Sequence, residues 1–103
     1  MFDHFSRISA GFDAGDHDAG CSKYFSDNGM DLAPADFRWV TEQLQAVAEV
    51  TACQGRVVSV LEGGYGRYVG GEAGFDRSNL GRNAAAHVLG LASAAPPALE
   101  PPV

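Results

Sequence analysis

The residues with the most chemical capacity stand where an apolar run ends. Val57-Val58-Ser59-Val60-Leu61 reads as a buried strand, and Glu62-Gly63-Gly64-Tyr65 follows it directly. In an open α/β sheet, ligands bind at the loops beyond the carboxyl ends of strands. The pair Gly63-Gly64 lets backbone approach a ligand with no side chain in the way. The Tyr65 hydroxyl can donate a hydrogen bond to an oxygen that gains negative charge during a reaction. Asp13 has the matching place beyond an earlier candidate strand. A carboxylate there can ligate zinc or cap the following turn, and on residue type alone the turn is the commoner role.

Other motifs carry less. Gly64-Tyr65-Gly66 opens like a dinucleotide-binding fingerprint, but its third glycine would fall at Val69 and no helix starts there. No phosphate-binding lysine stands in that stretch. Asp16-His17-Asp18 has a metal-like composition yet reads more simply as a solvated loop. Glu62 is expected to hydrogen-bond neighbouring loop backbone, and Trp39 to pack. His87, on a helix beside apolar positions, reads as a packed or surface histidine, and His4 is close to the terminus.

The elements that must position these residues follow from periodicity. Phe5 to Ala10 forms a short candidate strand, which Gly11-Phe12-Asp13-Ala14-Gly15 ends. A polar loop then runs to Asp31. Pro34 suits a first helical position, and Asp36 adds a favourable charge in the first turn. Phe37, Val40, Leu44 and Val47 recur on one helical face, and Gly55 is expected as the terminating residue. The strand of Val57 follows, then Gly66-Arg67-Tyr68-Val69-Gly70-Gly71, which is too glycine-rich for a predicted element. Ala84, Val88 and Leu91 mark a second helix that starts near Ser78 or Asn79. Gly81 and Gly90 each weaken it by about 1 kcal/mol relative to alanine.

Strand, loop, helix, strand, loop, helix implies two parallel strands joined by a crossover helix. Parallel strands are buried on both faces, and two strands with two helices are too few to bury themselves. The chain therefore reads as the end of a larger α/β domain over residues 1–93. Residues 94–103, Ala94-Ala95-Pro96-Pro97-Ala98-Leu99-Glu100-Pro101-Pro102-Val103, form a proline-rich tail expected to be unfolded.

Composition narrows the classes of partner. The 103 residues bound the chain to one domain at most, and 46% hydrophobic content is that of a globular protein. A net charge of −6 disfavours nucleic-acid binding through a basic patch. No apolar run approaches the roughly 18–20 residues of a membrane span, and no signal peptide is readable. Cys21 and Cys53 do not make a disulfide framework and are expected to be reduced thiols. An intracellular location follows as the expectation.

Three segments together resemble a known family. Ile8-Ser9-Ala10-Gly11-Phe12-Asp13-Ala14, Asp36-Phe37-Arg38-Trp39-Val40-Thr41 and Gly55-Arg56-Val57-Val58-Ser59-Val60-Leu61-Glu62-Gly63-Gly64-Tyr65 resemble the C-terminal part of a class II-type histone deacetylase domain. Ala86-His87-Val88, followed by Leu91, resembles the helix that closes that region. The resemblance implies an arginase/deacetylase-like α/β fold and a zinc-dependent amidohydrolase that removes acetyl groups from lysine in the nucleus or cytoplasm. It implies that Asp13 is a zinc ligand and that Tyr65 hydrogen-bonds the substrate carbonyl and the oxyanion formed from it. It implies that Gly63 and Gly64 line the acyl-lysine channel. In such a site zinc polarises the amide carbonyl and activates water, while the phenol stabilises the developing charge.

The departures from the family pattern are equally specific. The family's histidine pair, and its D-x-H motif with two further zinc ligands, belong upstream of the region represented here. His4, His17 and His87 form no pair and do not stand in that motif. The loops after Asp13 and after Tyr65 are longer than the family's. Catalytic zinc takes three protein ligands plus water. The expectation is a partial deacetylase domain, inactive alone and not binding Zn2+ tightly. The alternative is a truncated, non-catalytic product that serves as a binding or assembly module.

Overall fold

The computed structural model describes residues 5–21, 30–52, 54–72 and 74–93. Cys53, His4 and the proline-rich tail lie outside the described residues, as does the side chain of Cys21. In chain order the elements are β1 (Ser6–Ala10), a 3-10 turn (Ala19–Cys21), α1 (Pro34–Glu49), β2 (Val57–Leu61), β3 (Arg67–Gly70), β4 (Gly74–Asp76) and α2 (Ser78–Leu91). The architecture is α/β, with a small parallel sheet and two helices.

β1 and β2 pair in parallel, from Ser6 opposite Val57 to Ala10 opposite Leu61. Backbone bonds continue the ladder at both ends, Ser6 N–H to Arg56 O at 2.8 Å and Glu62 N–H to Ala10 O at 2.8 Å. In β1 Arg7 and Ser9 are exposed while Ala10 is buried, so the polar residues occupy the outward half of the strand's alternation.

Pro34 opens α1 as expected. Asp36 accepts the Ala33 N–H at 2.8 Å, which satisfies one of the orphan donors of the first turn. The helix stops at Glu49, with Val50 as its C-cap, earlier than a terminating Gly55 implies. Gly55 still closes the end from a distance. Its N–H donates to Ala48 O at 2.9 Å, and its carbonyl accepts from Gln45 Nε2 at 2.9 Å. Asp76 organises the start of α2 by accepting from the Ser78 N–H and then the Ser78 hydroxyl, which hold its carboxyl below the ordinary value.

The core sits between the two helices and the sheet. Phe12 is 2% exposed, with its ring 5.2 Å from Phe37 and edge-on to His87 at 5.7 Å. The other buried residues of the helices include Thr41, Gln45, Ala48, Asn83 and Ala86, so small and polar side chains supply most of this interior. A Cβ at Gly90 would stand 2.8 Å from Thr41 Cβ, so the missing side chain is what allows α2 to close on α1. The predicted apolar face of α1 is not the buried one. Thr41, Gln45 and Ala48 are buried, whereas Val40, Leu44 and Val47 are 47%, 45% and 56% exposed.

The glycine-rich stretch beyond Tyr65 is a second departure from expectation. It forms an antiparallel hairpin of β3 and β4, with Arg67 opposite Asp76 and Tyr68 opposite Phe75. The register slips between Tyr68 and Gly70, as a bulge. The cross-strand pair Tyr68–Phe75, edge-on at 5.4 Å, is the side-chain contact that favours pairing here.

Candidate functional site

The parallel register of β1 and β2 brings the two strand-end loops side by side. Asp13 lies three residues beyond β1 and Tyr65 four residues beyond β2. Between them, Phe12 N–H donates to Gly63 O at 3.3 Å, a last rung outside the sheet. Phe12 itself is core, so the residue next to Asp13 is fixed by packing.

Gly63 and Gly64 have positive φ, +84° and +109°, where a side chain is strained. Space forbids one as well. A Cβ at Gly63 would run into the Asp13 carboxylate, and one at Gly64 would stand 2.7 Å from Leu80 Cδ1. Gly20, on the 3-10 turn, is constrained from the other side, since a Cβ there would meet both the Asp13 carboxylate and the Tyr65 ring. Asp13, Gly63 and Tyr65, singled out separately in the sequence, therefore gather at one place. The missing side chains of Gly63 and Gly20 leave room there for the Asp13 carboxylate, and the Tyr65 ring lies beside Gly20. At Gly64 the side-chain position is taken by Phe12 and Leu80 instead.

Sequence reasoning missed Asp18. Asp18 is 3% exposed and is not part of a solvated loop. Its carboxylate accepts the Tyr65 N–H at 3.0 Å, the Gly66 N–H at 3.0 Å and the Gly20 N–H at 2.8 Å. Ala19 N–H returns a bond to Gly66 O at 2.8 Å. One buried carboxylate thus ties the loop after β1 to the backbone of Tyr65. Charge-assisted bonds of this kind are about twice as strong as neutral ones. Part of this was readable, because Asp18-Ala19-Gly20 has the form of an Asx turn. The partners across 47 and 48 residues were not.

Its neighbours fit the solvated reading better. Asp16 and His17 are about half-exposed and pair at 3.5 Å. Glu62 is exposed and is not a buried acid. Its main chain matters instead, since a Cβ at Gly11 would stand 2.7 Å from Glu62 O.

His87 is packed, 3% exposed, and bonded at both ring nitrogens. Thr41 Oγ1 gives its proton to Phe37 O at 2.7 Å, so it accepts from His87 Nδ1–H at 2.8 Å. That leaves His87 Nε2 to accept from the Ser59 hydroxyl at 2.8 Å. Burial pushes the imidazole below its ordinary pKa. The bonds link α1, β2 and α2 through a neutral ring. Ser59 and His87 thereby hold β2, the strand that leads to Tyr65, against both helices.

Among the described residues, no group of three or more His, Cys, Asp or Glu gathers where it could hold a metal ion. Asp13 offers one carboxylate, and that of Asp18 is committed to backbone N–H groups. These residues do not fit a complete zinc centre.

Ala19, Gly20, Tyr65 and Phe75 line a shallow, open pocket of about 210 Å³. Tyr65 is half-exposed. Among the described residues, no helix is long and apolar enough to cross a membrane. No protein-family model, curated protein or solved structure matches the chain.

Proposed function

We propose that this chain is the C-terminal portion of an arginase/deacetylase-like domain, one that hydrolyses the amide of acetylated lysine in a protein or peptide. The observation that carries this reading is the convergence of Asp13, Gly63 and Tyr65 at the carboxyl ends of two adjacent parallel strands. In that role Tyr65 donates its hydroxyl to the amide carbonyl and to the oxyanion formed from it. Gly63 leaves room for the Asp13 carboxylate, and the backbone of Gly63 and Gly64 faces the acyl group. Asp13 contributes one ligand to a zinc site whose other ligands come from outside the described residues. A proton acceptor and donor must come from elsewhere too, since buried His87 has both ring nitrogens committed. The reading places the protein in the nucleus or cytoplasm and gives it no nucleic-acid partner.

A second reading, a non-catalytic binding or assembly module, is favoured by the exposure of Val40, Leu44 and Val47. Turnover of an acetyl-lysine peptide in the presence of Zn2+ tests the first. The chain is expected to show no more turnover than its Tyr65→Phe variant, because half of the site is supplied. Turnover well above that control overturns the partial-site reading.

A further inference from the structure

We infer that the proline-rich segment beyond α2 folds back over the open groove between α1 and α2, with Glu100 at Arg82. Ala35 and Arg38 of α1 and Arg82, Ala85 and Leu89 of α2 line this groove, whose volume is about 410 Å³. Neither strand-end loop lines it, so the inference is independent of the deacetylase reading.

The groove and the segment have matching chemical order. Read backwards from the end of α2, its exposed stripe runs Leu89, Ala85, Arg82: two apolar residues and then a cation. Three- and four-residue steps place these side chains on one helical face. The segment reads Pro96-Pro97-Ala98-Leu99-Glu100: an apolar run and then an acid. Laid antiparallel to α2, it sets apolar groups on apolar groups and carboxylate beside guanidinium. Arg38, at the other side of the groove, already bonds Glu42 at 3.4 Å. Asp76, the acid on the far side of Arg82, accepts from the Ser78 N–H and hydroxyl.

Lengths match as well. From Leu89 back to Arg82 is about 10 Å of helix, at roughly 1.5 Å per residue. From Pro96 to Glu100 is about 12 Å of polyproline II chain, at roughly 3.1 Å per residue. The reversal falls between them. The Ser93 N–H returns to Gly90 O at 3.3 Å, so α2 tightens at its end, and Pro96 keeps Ala95 out of helical geometry. A polyproline II backbone needs no hydrogen-bond partners from the surface beneath it, so an apolar groove suffices. Alone, such a segment is expected to be unfolded; over the groove it buries Ala98 and Leu99 against Ala85 and Leu89.

The test uses the whole chain, labelled with 15N and with 13C at methyl groups. Nuclear Overhauser contacts are expected between the Leu99 methyls and those of Ala85 and Leu89, within one molecule. Leu99→Ser should shift the Ala85 and Leu89 methyl resonances, while the amides of β1 and β2, the control for an intact fold, keep their positions. Arg82→Glu should weaken the Leu99 contacts by about two- to fivefold, the value of one exposed ion pair. Adding Glu100→Lys to Arg82→Glu should restore them. Absence of the contacts in the wild type overturns the inference, as do groove methyls that ignore Leu99→Ser. Contacts seen only between a labelled and an unlabelled copy give the groove to a second molecule's segment and overturn the fold-back. A charge exchange that fails to restore the contacts overturns the pairing of Glu100 with Arg82.

Discussion

On one side of α1, Thr41, Gln45 and Ala48 are buried, with Thr41 against Gly90 of α2 and the His87 ring. On the adjacent side, Val40 and Leu44 line an open groove with Ile8 and Phe37 between the helix and β1, and Val47 stands beyond it. The buried side is held by hydrogen bonds and close backbone approach, the open side by little besides Phe37. The open side nevertheless carries the stronger apolar pattern. The contrast shows what periodicity measures. It locates the surface that gains most from being covered, which need not be the surface that this chain covers. A parallel strand with an apolar helical stripe beside it is the arrangement of an inner layer in an α/β fold, and the proposal of a partial domain draws support from it.

The largest test of this contrast compares one deletion on each side. Phe12→Ala should cost about 3–5 kcal/mol, since Phe12 is the large apolar side chain of the buried region. Leu44→Ala should stay within about 0.5 kcal/mol, as for a surface substitution, because its side chain is already half in water. Chemical denaturation of both variants checks the pair. Comparable losses would mean that the groove is filled in solution and that the two sides do not differ.

The next effect lies at the site. Asp18→Ala leaves three backbone N–H donors without their carboxylate, at a cost of about 1.5–3 kcal/mol. Hydrogen exchange should accelerate first at Tyr65 and Gly66, while amides in α1 keep their protection. Uniform acceleration through the chain would show that Asp18 supports the whole fold and not this loop.

The smallest concerns the histidine that stitches the polar side together. Burial lowers the pKa of His87, and the side chains it bonds or packs against, Thr41, Ser59 and Phe12, carry no charge. The fold therefore prefers the neutral ring. Its contribution is complete above an unfolded-state pKa of about 6.5 and is lost as pH falls toward the lower folded-state value. Thermal melts between about pH 7 and 5 should show this decline, and His87→Gln should remove that part of the slope. A decline identical in both proteins would place the titration elsewhere.

Much of the local structure was legible. β1, β2 and the starts of both helices follow from Pro34, the β-branched run at Val57 and the polar break before Ser78. Asp13 and Tyr65 could each be placed beyond a strand. The β3–β4 hairpin was hidden because its pairing depends on Tyr68 meeting Phe75, which outweighs the unfavourable glycines around them. Asp18 looked solvated because its partners are main-chain groups, and no residue type announces them. The helix face was misjudged for a related reason: a glycine at position 90 and a hydroxyl at Thr41 pack more closely than valines do.

The claim on which the account turns is that Tyr65 donates to an amide carbonyl. The most direct measurement is the affinity of the chain for capped Nε-acetyl-lysine relative to capped norleucine, in the wild type and in Tyr65→Phe. The account predicts an advantage of about fivefold for acetyl-lysine, the contribution of one hydrogen bond, which disappears when the hydroxyl is removed. An advantage that survives Tyr65→Phe, or none in the wild type, would contradict it.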